Sequence, residues 1–220
     1  MYKCNTTTKA NSNTNTDTGP GAGREYTSEE LLGRLVRNAP FYESGGITAT
    51  GGEPLLQLDF LTELFEGAKA RGIHTCLDTS GAIFDPENGE LVRRIDRLLA
   101  STDLLMLDIK HADTERHRAL TGRGNEQILA FGRHASLRGV PMRVRHVLAP
   151  GYTDDEASLR MLGRLLKEFA TLEEVEVLPY HTLGRAKYEN LGIEYPMGNA
   201  PQLTEREAQE AKRIILEELG

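Results

Sequence analysis

Five short stretches of the chain close an apolar run with side chains or bare backbone able to do chemistry. They are Gly51-Gly52-Glu53, Asp78-Thr79-Ser80-Gly81, Asp108-Ile109-Lys110, the cluster of Arg143, Arg145 and His146, and Pro179-Tyr180-His181. Aspartate is depleted in strands, so Asp78 and Asp108 at the ends of apolar runs point to a task beyond packing, with hydrogen-bonded turn starts as the alternative. Two glycines before a carboxylate either make a tight turn or let a ligand approach main-chain groups closely. Glu53, ahead of Pro54, is either an acidic residue favoured by a helix start or a ligand contact. Lys110 is a solvated neighbour of Asp108 or a member of the site, and His181 is a satisfied structural histidine or a ligand contact. His74, His111, His117 and His134 read as surface or helix positions. The set as a whole suits a small zwitterionic or anionic ligand.

The elements that must position these residues alternate. Thr27 with Glu30 three residues on is a helix start, and Leu31, Leu32, Leu35 and Val36 continue at helical spacing to about Asn38. A short β-branched strand, Ile47 to Thr50, precedes the glycine pair. Leu58, Leu61, Leu64, Phe65 and Ala68 then mark an amphipathic helix that stops near Gly72. Strands are predicted at 74–78, 104–108, 142–148 and 175–178, and helices at 91–99, 126–138, around the 159–169 stripe, and at 204–219. Five strands separated by helices predict a parallel α/β fold, because parallel neighbours need crossover connections. In such folds ligands sit outside the carboxyl ends of the strands, which is where all five polar stretches fall.

Composition narrows the class. With 26 Lys+Arg against 33 Asp+Glu, the net charge of -7 is spread along the 220 residues, so no nucleic-acid footprint is expected. The two cysteines, Cys4 and Cys76, have no disulfide-framework spacing. No run approaches the ~18 apolar residues of a membrane span, and no secretion signal opens the chain, so a soluble cytoplasmic protein is expected. Residues 1–23, rich in Thr and Asn, lack the apolar content for a core and are expected to be irregular, with 24–220 as one domain. Their hydroxyls and low acidity are shared with organelle transit peptides, but the arginine-rich amphipathic pattern is missing. There is no phosphate-binding P-loop, no G-x-G-x-x-G fingerprint, no G-x-S-x-G elbow and no H-E-x-x-H zinc helix.

The strings GGITATGGEPLLQ, GIHTCLDTSG, DLLMLDIKH, VLAPGYTDD and LPYHTLGRAKYENLGIEY, in order between Arg24 and Gly220, resemble the radical S-adenosylmethionine enzymes that activate glycyl-radical enzymes. The resemblance implies a partial (β/α)6 TIM-like barrel, here without its first β/α unit and so with an exposed edge on the first remaining strand. It implies that the backbone of Gly51, Gly52 and Glu53 holds the methionyl amino group of S-adenosylmethionine, that Asp108, Ile109 and Lys110 touch the cofactor, and that His181 lies near its adenosyl end. A monovalent cation beside the methionyl carboxylate would use Asp78, Thr79, Met106 and Asp108, two carboxylates and a carbonyl-rich pocket that suit such a hard ion.

The family also implies a [4Fe-4S] cluster on C-x-x-x-C-x-x-C, and here the sequence departs from the pattern. Only Cys4 precedes the glycine pair; it is either the third cluster cysteine, displaced by a Thr/Asn-rich insertion, or an unrelated thiol. Cys76 reads as a core residue of the second strand. The short distance from Cys4 to Gly51 leaves no room for an inserted ferredoxin-like domain, which favours the pyruvate formate-lyase branch.

The implied activity is reductive cleavage of S-adenosylmethionine to methionine and a 5′-deoxyadenosyl radical that takes hydrogen from a glycine of formate C-acetyltransferase. The implied electron donor is a flavodoxin- or ferredoxin-type reductant, and the chain is expected to be a monomer. Three readings stand: an N-terminally truncated enzyme, a non-catalytic paralogue that keeps cofactor or partner binding, and, more distantly, a metal-dependent barrel enzyme built on Asp78, Asp108, Lys110 and His181.

Overall fold

A computed structural model of the chain describes residues 25–38, 45–190 and 192–220. Cys4 and the 1–23 segment lie outside the described residues. The elements run α1 (Ser28–Asn38), β1 (Gly46–Ala49), α2 (Leu58–Lys69), β2 (His74–Thr79), α3 (Gly89–Leu99), β3 (Leu104–Asp108), α4 (Thr114–Thr121), α5 (Glu126–Leu137), β4 (Met142–Leu148), α6 (Glu156–Leu166), β5 (Leu172–Pro179), α7 (Arg185–Asn190) and α8 (Glu205–Leu219). The strands form a parallel sheet in the order β1-β2-β3-β4-β5, so the α/β expectation holds. No helix among the described residues is long and apolar enough to cross a membrane.

The helix starts follow from local chemistry. Ahead of α1, Thr27 and Glu30 exchange hydrogen bonds, Thr27 N–H to the Glu30 carboxylate at 2.8 Å and Glu30 N–H to the Thr27 hydroxyl at 3.1 Å. Thr204 and Glu207 do the same at the start of α8. Asp113 and Asp155 cap α4 and α6 by accepting from the amides of Arg116 and Ser158.

The described chain divides into two compact units, one built from the residues up to Asp108 with Gln127–Arg143, the other from Ile109–Glu126 with Val144–Gly220. In the first unit β1 pairs with β2 and β2 with β3, all parallel, with Ala49 beside Leu77 and Asp78 beside Met106. This register brings the carboxyl ends of three strands together. Leu77, Leu105 and Leu107 from the strands, Phe65, Ile95 and Phe131 from the helices and Phe84 from the turn after β2 are fully buried, each contributing roughly 1.5–3 kcal/mol. Phe84 meets Phe131 edge-on at 5.8 Å, and Gly81 lies directly against the Phe131 ring, where any larger residue would collide. That contact fixes the turn after β2.

In the second unit the Tyr180 amide donates to the Leu148 carbonyl at 3.0 Å, so the ends of β4 and β5 are neighbours. Gly163 of α6 lies against the Ile215 carbonyl of α8, a close crossing that a side chain would prevent. Leu162, Leu166, Val175 and Ile215 form the apolar layer.

Candidate functional site

In the first unit the chemistry gathers around Glu53. Its carboxylate accepts from the Thr79 hydroxyl, from the Ser80 hydroxyl at 2.6 Å and amide at 3.2 Å, and from the Leu55 amide at 3.1 Å. The helix-start reading of Glu53 is met, since it caps the 3-10 turn Pro54–Gln57, and the same carboxylate also clamps the end of β1 to the end of β2. Thr79 in turn accepts from the Gly81 amide at 3.0 Å. Thr50 donates to Asp78 Oδ2 at 3.1 Å, a second tie between the same two strand ends.

Above this clamp Gly51 and Gly52 are exposed, with nothing within 4 Å of where a side chain would begin at either. Gly51 has φ +133, a conformation that favours glycine, whereas Gly52 keeps an ordinary backbone. The bare backbone at Gly52 is therefore not needed for the turn itself. Asp78 and Asp108 are half-buried, Thr79 and Met106 buried, and the β2–β3 register sets Asp78 beside Met106 two residues before Asp108. The structure thus brings Gly51, Gly52, Glu53, Asp78, Thr79 and Met106 to adjacent strand ends of one unit. Cys76, expected in the core, is buried with Leu104 and Met106.

In the second unit Ile109 is fully buried and held from both sides. Its amide donates to the Arg145 carbonyl at 3.0 Å, and its carbonyl lies 2.9 Å from His146 Nδ1. Lys110 follows, half-buried. Along β4 burial alternates, so His146 faces one side with Met142, Val144 and Leu148 while Arg143 and Arg145 face the other. Sequence reading had grouped these three polar residues; the pleat separates them. Arg145 pairs with Glu176 of β5 at 3.0 Å.

His181 is exposed at the start of the 3-10 turn Thr182–Gly184. Beside it the Tyr180 hydroxyl meets the Tyr195 hydroxyl at 2.7 Å, and burial followed by that bond pushes the Tyr180 phenol up to about 12.

Of the histidines read as surface or helix positions, His117 does lie on a helix, yet both it and His111 are buried. His111 is 1% and His117 3% exposed, the first in the turn after β3 and the second on the inner face of α4. Burial, with the Arg116 charge behind it, lowers the affinity of His111 for a proton; burial does the same to His146. Sequence reasoning missed Thr50, Asn125 and Ser158 as organisers of these turns. A buried polar residue in a loop leaves no periodic signal.

The donor set decides which groups fit. A [4Fe-4S] cluster on three thiolates does not, because the sequence has two cysteines and one of them, Cys76, is buried within β2. No group of three or more His, Cys, Asp or Glu side chains able to hold a metal ion gathers among the described residues. A zwitterionic ligand fits better, since an open glycine backbone and two strand-end carboxylates offer acceptors for an ammonium group.

Comparison with known proteins shows the family. The sequence profile of the Radical SAM superfamily matches residues 4–162, a span that includes every strand-end residue named above from Gly51 to Lys110 but not His181. A pyruvate formate-lyase-activating enzyme of Staphylococcus epidermidis is 42% identical over 194 residues, 87% of this chain and 77% of that protein, and its Staphylococcus aureus counterpart is 40% identical over the same shares. Among solved structures, a domain of a pyruvate-formate lyase-activating enzyme from Bacteroides vulgatus superposes with a TM-score of 0.62 at 25% identity, covering 80% of this chain and 95% of that one. A radical SAM methyltransferase from Sphaerobacter thermophilus, at 18% identity and TM-score 0.60 over 89% of this chain and 56% of that one, shares the fold.

Proposed function

The chain belongs to the Radical SAM superfamily, and from that premise we propose that it is a pyruvate formate-lyase-activating enzyme-like protein, an S-adenosylmethionine-dependent radical oxidoreductase. Its activity on this reading is generation of a glycyl radical on formate C-acetyltransferase by reductive cleavage of S-adenosylmethionine. The observation that carries the reading is the 40–42% identity to pyruvate formate-lyase-activating enzymes over 194 residues. The open Gly51-Gly52 backbone beside the Glu53 clamp supports the same reading.

S-adenosylmethionine, when bound, supplies the radical chemistry. The residues of this chain bind and orient it. The backbone of Gly51, Gly52 and Glu53 receives the methionyl ammonium, with the Glu53 carboxylate spent on rigidity rather than on the ligand. Ile109 and Lys110, after Asp108, supply the second group of contacts, and His181 the adenosyl end. A monovalent cation at Asp78, Thr79, Met106 and Asp108 would offset the methionyl carboxylate; the Asp78–Met106 register supports that set. The protein partner is a glycyl-radical enzyme, the electron donor a flavodoxin- or ferredoxin-type protein, the chain a monomer and its compartment the cytoplasm. Residues 24–220 act as the working domain behind a 1–23 segment.

Because two cysteines do not make a three-thiolate site, no step is assigned through a cluster. Cys4 is kept as one candidate ligand on the observation that the family match begins there. A second reading is that the chain binds S-adenosylmethionine or the partner without radical chemistry. Anaerobic reconstitution with iron and sulfide, followed by incubation with S-adenosylmethionine, a reductant and pyruvate formate-lyase, separates the two. A glycyl-radical signal in the electron paramagnetic resonance spectrum supports the activating reading. Cofactor binding with no such signal supports the second.

A further inference from the structure

The turn that follows β3 is held by more buried polar groups than a surface turn requires. Ile109 is anchored through its amide to Arg145 and through its carbonyl to His146. A carbonyl only accepts, so the proton of His146 sits on Nδ1, and Nε2 makes no hydrogen bond among the described residues. Two and three residues past Ile109 the backbone is held again: Asn125, 0% exposed, donates from Nδ2 to the carbonyls of His111 and Ala112, both at 2.9 Å, while its Oδ1 accepts from the Thr114 hydroxyl at 2.7 Å.

The His111 ring closes the arrangement. Its Nδ1 accepts from the Asp113 amide at 2.8 Å, so Nε2 carries the proton and donates to Ser158 Oγ at 3.1 Å. The Ser158 hydroxyl donates to Asp155 Oδ2 at 2.7 Å and accepts from Arg116 at 2.7 Å. Serine, histidine and aspartate stand together here in the wrong sense for nucleophilic catalysis, which needs the imidazole to accept from the hydroxyl. The cluster holds a backbone.

We propose that His146, Asn125 and the His111–Ser158 pair are positioning residues that fix the Ile109–Lys110 backbone for S-adenosylmethionine binding. The inference rests on the cofactor reading above. None of the four side chains needs to touch the ligand. They act by removing the freedom of a turn whose two residues would otherwise have to be ordered when the ligand arrives.

The test compares the full-length protein with His146→Leu, His146→Asn and Ser158→Ala, reading S-adenosylmethionine affinity, thermal stability and hydrogen exchange at the Ile109 amide. Asparagine places an N–H donor where Nδ1 stands; leucine does not. His146→Leu is expected to weaken binding about tenfold or more and to speed exchange at Ile109, while His146→Asn stays near the parent in both. Ser158→Ala keeps the Asp155 cap on α6 and is expected to weaken binding at least about threefold, which carries the test if His146→Leu does not fold. Unchanged affinity in folded His146→Leu and Ser158→Ala overturns the inference and leaves the cofactor reading standing. So does an asparagine variant as weak as the leucine one, since a lost donor would then not be the cause. A parent protein that does not bind S-adenosylmethionine overturns the cofactor reading, and the inference falls with it.

Discussion

Glu53 shows how one carboxylate can tie two strand ends together beside an exposed glycine backbone. Its four hydrogen bonds reach Thr79, both polar groups of Ser80, and Leu55, so it joins two strand ends and starts the following turn. Bonds of this kind to an ionised group contribute about 1.5–3 kcal/mol each at best, and removing the acceptor strands the donors. Glu53→Ala is therefore expected to lower stability by about 2–3 kcal/mol, and Glu53→Gln by less, as measured by denaturant midpoints at constant m. Equal stability in all three proteins would remove the clamp from the account. In the sequence Glu53 admitted two readings, helix start or site, because position alone cannot tell a cap from a contact. The distinction needed Thr79 and Ser80, which lie 26 and 27 residues away. The burial of His111 was illegible for the same reason: it sits in a loop beside charged residues, and only its distant partner Ser158 reveals it.

At the scale of elements, legibility followed the size of the buried face. α2, with six buried residues, and β4, with strict alternation, lie close to where their apolar periods predicted them. α4 buries only His117 and carries no apolar stripe, so nothing announced it; its cap Asp113 and the left-handed Gly122 that ends it are meaningful only once the turn is known. α6 was legible by its leucines, but not the load on its first turn. There the Ser158 hydroxyl and amide, with Arg116 behind them, hold the Asp155 carboxyl at about 2 rather than the usual 3.8. A carboxyl depressed in the folded state contributes stability that is fully present above its unfolded value and is lost as pH falls through the folded one. The side chain is 43% exposed, so solvent screening keeps the effect modest. Relative to Asp155→Asn, which still caps but does not titrate, the parent should lose stability between about pH 4 and pH 2, read from denaturant midpoints at each pH. A difference that is flat across that window would contradict the arrangement.

For the whole molecule, the alternation of strands and helices was sufficient to predict the parallel α/β class, because crossovers leave few other ways to pair successive strands. The division into two compact units was not legible, since no change of composition marks Asp108 or Arg143. The family was legible in short strings at strand ends, where chemistry rather than packing sets the residue type. The central claim is that the exposed backbone at Gly51-Gly52 is a ligand surface. Gly52 offers the most direct measurement, because its backbone is ordinary and the space beside it open, so an added methyl should cost the folded protein little. Equilibrium binding of S-adenosylmethionine to the parent and to Gly52→Ala, with melting temperatures of both, is the decisive comparison. The account predicts that the parent binds and that Gly52→Ala melts at the same temperature but binds about tenfold or more weakly. No binding by the parent, or equal binding by a folded Gly52→Ala, would contradict it.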